Sequence, residues 1–184
     1  MADTAKTAVA PLTGTVRLLR HSEQPQFKAH LLRLDADSRR DRFNGPTNNA
    51  FVSSYADRCF QDGTLVIGYV ENGEVLGAAE LHERPNDPEP TGEIAFSVEK
   101  QLQHRGLGGI LFARLVEAAR AFGYERLRVT THPQNTAMKR LARRFNASLK
   151  FEDGETVGSI VLAPQPALPH RPGAGAFRAE GAGA

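Results

Sequence analysis

Among its 184 residues the chain has a single cysteine, Cys59. That excludes an intrachain disulfide and any cysteine-rich metal centre, and no metal is expected. Cys59 lies between Tyr55 and Phe60, an apolar neighbourhood that predicts a buried structural thiol. Long apolar runs are missing too: none approaches the roughly 20 residues a membrane span requires. The opening segment MADTAKTAVAPLTG lacks the apolar core of a secretory signal. The expectation is a cytoplasmic protein with no membrane partner. Charge of one sign is also scarce. A formal net charge of +2 does not argue for a nucleic-acid partner. Arginine supplies 18 of the 23 basic residues, a skew that genome composition can produce. The stretch Arg39, Arg40, Arg42 reads first as a solvated helix end and only second as a binding patch.

What is present suits one domain with a substantial core: 40% hydrophobic and 24% charged residues in a chain of this length. Residues 1–14 and the Ala/Pro/Gly-rich residues 163–184 hold too little apolar surface to offset the entropy of ordering them. They are expected to be disordered tails around a domain at residues 15–162. Within it the pattern predicts a strand, two helices, three strands, a helix, a strand, a helix and one or two closing strands. The helix candidates at residues 30–35 and 48–58 carry apolar residues at helical spacing. Asn72-Gly73 between two strand-like runs (residues 65–70 and 75–81) is a strong hairpin signal. Leu107, Ile110, Leu111, Leu115, Ala118 and Phe122 mark one helix face, ended by Gly123. The fold class expected is α/β (α+β), a mixed, mostly antiparallel twisted sheet of six to seven strands flanked by about four helices.

The most informative segment is EIAFSVEKQLQHRGLGGILFARLVEAARAF, residues 93–122. A strand runs into a basic glycine turn and then an amphipathic helix, and such a turn offers backbone N–H groups to phosphate oxygens. It is not a P-loop, because Ile110 and Leu111 stand where Lys-Ser/Thr would have to follow. It is not a dinucleotide turn either, since the third glycine and the distant acidic residue are missing or poorly placed. The remaining pattern is Gln103-x-x-Gly106-x-Gly108, followed by Gly109.

This pattern, between a strand and an amphipathic helix, resembles the signature of the GNAT superfamily of acyl-CoA N-acetyltransferases, Arg/Gln-x-x-Gly-x-Gly/Ala. The element order agrees over residues 16–162, and the match in sequence is concentrated in residues 93–145. The resemblance implies the GNAT fold, with acetyl-CoA as co-substrate and its pyrophosphate on main-chain N–H groups of Gln103, His104, Arg105, Gly106, Leu107, Gly108 and Gly109. Arg105 and His104 could add side-chain contacts, although His104 also reads as exposed loop filler. It implies that Phe96, Ser97 and Val98 pair with the pantetheine arm. Asn135 would hydrogen-bond the cofactor, act as a helix N-cap, or do both.

Acetyl transfer needs a neutral amine, so a base must take its proton and an acid can protonate the leaving thiolate. Glu93 is the first candidate base, because EIAF resembles the catalytic-glutamate strand of histone-acetylating relatives. Glu80, read in phase with Leu76 and Ala78, is the second. The tyrosine that often protonates the thiolate is replaced here by Ala142. The acceptor expected is an amine of a small molecule or a protein. The Ser38-Arg39-Arg40-x-Arg42-Phe43 run resembles a Ser-Arg-x-x-Arg-Phe segment of some bacterial GNAT members, protein-lysine acetyltransferases included, and does not name it. Dimers are frequent in the family, so a homodimer is a further expectation. Two alternatives stay open: a GNAT-fold module that senses acyl-CoA without turnover, and an interaction protein whose glycine turn is only a tight connection.

Overall fold

Apolar and small residues run almost unbroken through residues 65–70 and 75–81, the pattern of strands buried on both sides, so the sheet must be covered on both faces. A computed structural model describes residues 11–61 and 63–163 and has that arrangement. In chain order the elements are β1 (Thr15–Leu18), α1 (Gln24–Arg33), α2 (Ala36–Phe43), α3 (Asn49–Gln61), β2 (Leu65–Glu71), β3 (Glu74–Glu83) and β4 (Thr91–Val98). They continue with α4 (Leu107–Ala121), β5 (Arg126–Thr131), α5 (Thr136–Arg144), β6 (Ser148–Glu152) and β7 (Glu155–Val161). The seven strands form one sheet in the order β1-β2-β3-β4-β5-β7-β6. This is the α/β fold that the sequence predicts, mixed and mostly antiparallel, with five helices. The predicted tails lie largely outside the described residues. Of the N-terminal stretch, Leu12 packs on the core, and Gly14 N–H donates to Tyr69 Oη at 2.8 Å.

Turn chemistry behaves as the residue types require. Asn72 and Gly73 sit at φ 52° and 82°, and Asn146 at φ 61°, so the left-handed turns fall on residues that tolerate them. Two expectations need correction. The helical run at residues 30–35 is not one helix, and three helices precede β2 instead of two. Asp35 accepts hydrogen bonds from Asp37 and Ser38 N–H at 3.1 and 3.0 Å, which makes it the N-cap of a new helix. Leu76 is not in phase with Ala78 and Glu80. The β2–β3 register jumps from Val70↔Val75 to Tyr69↔Gly77, so Leu76 is the extra residue of a bulge and packs on the opposite face.

The core has two parts. Phe27, Leu31, Val52, Ala56, Val66 and Ala78 pack α1 and α3 on one face of the sheet. Leu81, Ile94, Leu107, Leu111, Phe112, Leu115 and Leu127 pack α4 on the other, joined by Met138 and Ala142 of α5. Phe112 is fully buried between Phe96 and Phe145, with ring centroids at 4.9 and 4.0 Å. Phe112→Ala should therefore lower the unfolding free energy by about 3–5 kcal/mol. A urea midpoint shift amounting to less than about 1 kcal/mol would show that this stack does not organise the second core.

Candidate active site

β4 and β5 run parallel but stay paired for only three residues, from Thr91↔Arg126 to Glu93↔Arg128. Beyond Glu93 they diverge, and β4 shows a row of main-chain groups with no strand opposite. The gap opens into a cleft of about 660 Å³. Its walls are β4 from Ile94 to Val98, β5 from Val129 to Thr131, the start of α4, and one side of α5. The polypeptide crosses the mouth of the gap at Gln103–Gly109 because Gly106, at φ 82°, turns the chain into α4. His104 also takes a left-handed conformation there, at φ 59°. Gly109 and Ile110 N–H close back on the Gly106 carbonyl at 3.0 and 3.3 Å. Leu107 and Gly108 are the first two residues of α4, whose N–H groups a helix leaves unused.

The structure brings most of the sequence-predicted cofactor residues to this one cleft. Phe96, Ser97, Val98, Gln103, His104, Gly106, Leu107, Gly108, Gly109 and Asn135 all line it. Arg105 lies outside the lining, and its guanidinium donates to the Pro11 carbonyl at 3.0 Å. Asn135 is the N-cap of α5, its Oδ1 accepting from Met138 N–H at 2.9 Å. The Gln103 amide donates to Val98 O at 3.0 Å and Ser38 Oγ at 2.9 Å, tying the turn to β4 and α2. Thr131 Oγ1, buried in the wall, has no hydrogen-bond partner among the described residues. Unpaired strand groups, free helix N–H groups and an orphaned hydroxyl around one elongated gap fit a long polar ligand with a phosphate end. Lys100, Arg140 and Arg144 add positive charge to the lining, and Asp37 and Asp41 of α2 add negative charge.

The two carboxylates do not line the cleft themselves. Glu93 accepts from Arg84 at 2.7 Å and from Thr130 Oγ1 at 2.9 Å, and Thr130 does line it. Glu80 is fully buried behind Arg42, which donates to it at 2.7 and 3.2 Å. Tyr55 Oη donates to the same carboxylate at 2.5 Å, and His82 Nε2 is 3.2 Å away. Burial opposes ionisation of Glu80, but Arg42 and His82 outweigh it and hold the carboxyl well below the ordinary range. Glu80 is therefore built as an anchor for α2 and α3 and is poorly placed to accept a proton.

Arg42 itself is buried, with its guanidinium over the Phe43 and Tyr55 rings at 4.7 and 5.0 Å. For Arg42 this corrects the reading of the arginine stretch as a solvated helix end, whereas Arg40, half exposed in the last turn of α2, fits that reading. Cys59 is buried as expected, and burial pushes its thiol up to about 12, which leaves no nucleophile. Cys59, Glu80 and His82 bring one ligand atom each within 4.8 Å of one another. The Arg42 guanidinium already occupies that carboxylate, so a dication there would have to displace a buried cation.

One group of polar residues was not anticipated. His30 of α1 is completely buried, its Nε2 2.9 Å from Ser97 Oγ and its Nδ1 3.1 Å from Glu99 Oε1. Arg33 Nε and the Gln101 amide also donate to Glu99, each at 2.9 Å. The signal available in the sequence was a histidine on the apolar stripe of a helix, between Phe27 and Leu31.

The model of the acetyltransferase (GNAT) family matches residues 19–147. Among solved structures, the GNAT domain of PAT from S. lividans superposes with a TM-score of 0.68 at 21% identity, covering 80% of this chain and 89% of that one. A ribosomal-protein-alanine N-acetyltransferase from Brucella melitensis gives 0.62 at 17%, covering 80% and 99%. A phosphinothricin acetyltransferase from Sinorhizobium meliloti, in complex with acetyl-CoA, gives 0.61 at 16%, covering 87% and 96%. At these identities the likeness is one of fold. No helix among the described residues is long and apolar enough to cross a membrane.

Proposed function

The chain belongs to the GNAT acetyltransferase family, and from that membership we propose that it transfers the acetyl group of acetyl-CoA to a primary amine by direct attack. The observation that carries this reading is the parting of β4 from β5 directly before the glycine turn, with ten of the eleven anticipated binding residues on one cleft. The turn and the first N–H groups of α4 would hold the pyrophosphate. The free edge of β4 would pair with the pantetheine arm. A strand N–H near Ser97 would polarise the thioester carbonyl.

The acceptor must shed a proton before it attacks. Glu93 takes it through water, because Thr130 stands between this carboxylate and the cleft. Asp37 and Asp41 on the lining favour an acceptor that arrives as a cation. Arg39 is turned away to the Leu32 carbonyl and Asn49. Arg42 is neutralised by Glu80. Arg40 is half exposed and paired with Asp37 at 3.3 Å, so an acidic acceptor finds no unpaired arginine on α2.

Glu93→Gln should lower kcat about 10²–10⁴-fold and leave acetyl-CoA binding intact. Thiol release measured with spermidine, alanyl and lysyl peptides and phosphinothricin as acceptors checks this. Full activity of Glu93→Gln with a working acceptor would remove Glu93 from the mechanism. A sensor that binds acyl-CoA without turnover is a second reading. It is favoured by Ala142, which is buried in the core where many relatives carry the acid tyrosine. Acetyl-CoA binding with no thiol release for any amine would select it.

A further inference from the structure

The proposed transfer leaves one proton unassigned. A primary ammonium gives up one proton before attack, which Glu93 passes to water. The adduct nitrogen must then lose a second, and the CoA sulfur must gain one as it leaves. Ala142 offers no group for that step, and Ser97 is the hydroxyl of β4 that lines the cleft.

Behind Ser97 stands a chain of three groups joined end to end. Glu99 is ionised: burial opposes this, but hydrogen bonds from His30, Gln101 and Arg33 outweigh it and hold the carboxyl down to about 2. An ionised carboxylate only accepts, so His30 Nδ1 carries the hydrogen of that contact. Burial lowers His30 below its ordinary range against the pull of Glu99, which keeps the ring neutral at rest. In a neutral ring with Nδ1 protonated, Nε2 accepts, so Ser97 Oγ donates to it. All three groups are shielded from bulk water, with Ser97 and Glu99 6% exposed and His30 not at all.

We propose that Ser97, His30 and Glu99 form a closed proton relay that carries the second amine proton to the CoA sulfur. As the nitrogen lone pair forms the C–N bond, the carbonyl π pair moves to oxygen and the nitrogen becomes cationic. Its proton passes to Ser97 Oγ while the serine proton moves to His30 Nε2, and Glu99 stabilises the imidazolium. When the carbonyl reforms, the C–S bond breaks and its electron pair goes to sulfur. The imidazolium returns its proton to Ser97 Oγ, and the serine proton goes to sulfur. The products are the amide and CoA thiol. Serine, histidine and glutamate end as they began, with no further reactant. Ser97 meets the reacting atoms, whereas His30 and Glu99 act through it as positioning residues. The relay also gives a reason for burying a histidine on the face of α1 that carries Phe27 and Leu31.

This inference rests on the transferase reading, so the test begins with wild-type protein, acetyl-CoA and the amine panel above. Ser97→Ala and His30→Gln should each lower kcat about a hundredfold or more, with KM for acetyl-CoA unchanged. The double variant should be no slower than the slower single one, because the groups act as a unit. Ser97→Thr, which keeps the hydroxyl, should recover most of the rate. Ser97→Ala removes one oxygen and carries the test should His30→Gln fail to fold. Wild-type turnover with an unchanged kcat in Ser97→Ala would overturn the relay and leave the transferase standing. Multiplying losses in the double variant would also overturn it. An acetyl group found on Ser97 by intact mass would make the serine a nucleophile instead. No thiol release by wild type with any amine would remove the transferase reading and the relay together.

Discussion

Gly108→Glu is expected to abolish acetyl-CoA binding without weakening the fold. Gly108 is the second residue of α4, and a Cβ added there meets only Leu141 Cδ2, at 3.4 Å. The backbone at this position is ordinary helix, so the glycine is not required by conformation. A carboxylate in a first helical turn interacts favourably with the helix dipole, by about 0.3–1 kcal/mol. Replacing a helical glycine contributes up to about 1 kcal/mol more. The unliganded variant should thus melt at the wild-type temperature or above it. The same carboxylate stands where the pyrophosphate would sit and repels it. At about 100 times Kd, acetyl-CoA should add about 2.7 kcal/mol to wild type, or about 5–10 °C at this size. The variant should show no shift at that concentration. An equal shift in both proteins would mean that the turn does not hold the phosphates.

Arg42→Ala should cost about 3–5 kcal/mol, because it leaves the fully buried Glu80 carboxylate without its cation. The pH dependence has a definite sign. In wild type the Glu80 carboxyl is held below its unfolded value. Its contribution is complete above the ordinary glutamate range, about 4.3, and is lost only as pH falls well below it. Without Arg42, burial raises the carboxyl instead, so the variant should lose less stability in mild acid than at neutral pH. The double variant Arg42→Met/Glu80→Leu, which leaves no buried charge, should be more stable than Arg42→Ala. Chemical unfolding at two pH values measures all three proteins. A loss below about 1 kcal/mol in Arg42→Ala would show that α2 is not anchored through Glu80.

These two sites were legible to different degrees. The glycine turn could be read directly, since Gly106, Gly108 and the strand–turn–helix order are local features. Asn72-Gly73, Gly123 and Asn146 were equally readable, because a positive φ selects among few residues. The break between α1 and α2 was not, as Leu31, Leu32 and Leu34 continue the apolar spacing across it. Only the Asp35 side chain on Asp37 and Ser38 N–H reveals the new helix. The bulge at Leu76 escaped because alternation assumes two residues per repeat, and one extra residue inverts every face beyond it. The buried clusters are tertiary. Arg42 and Glu80 are 38 positions apart, and His30 and Ser97 are 67 apart. Each residue type was visible, but only the sheet brings the partners together.

The central claim is that the β4–β5 gap delivers the acetyl group of acetyl-CoA to an amine. The most direct test incubates the protein with acetyl-CoA and the amine panel, measuring free thiol and acetylated amine by mass in the same sample. One acetylated amine per thiol released, lost in Gly108→Glu, is the predicted result. Thiol release without acetylated amine, or no release from a protein that acetyl-CoA stabilises, would contradict it.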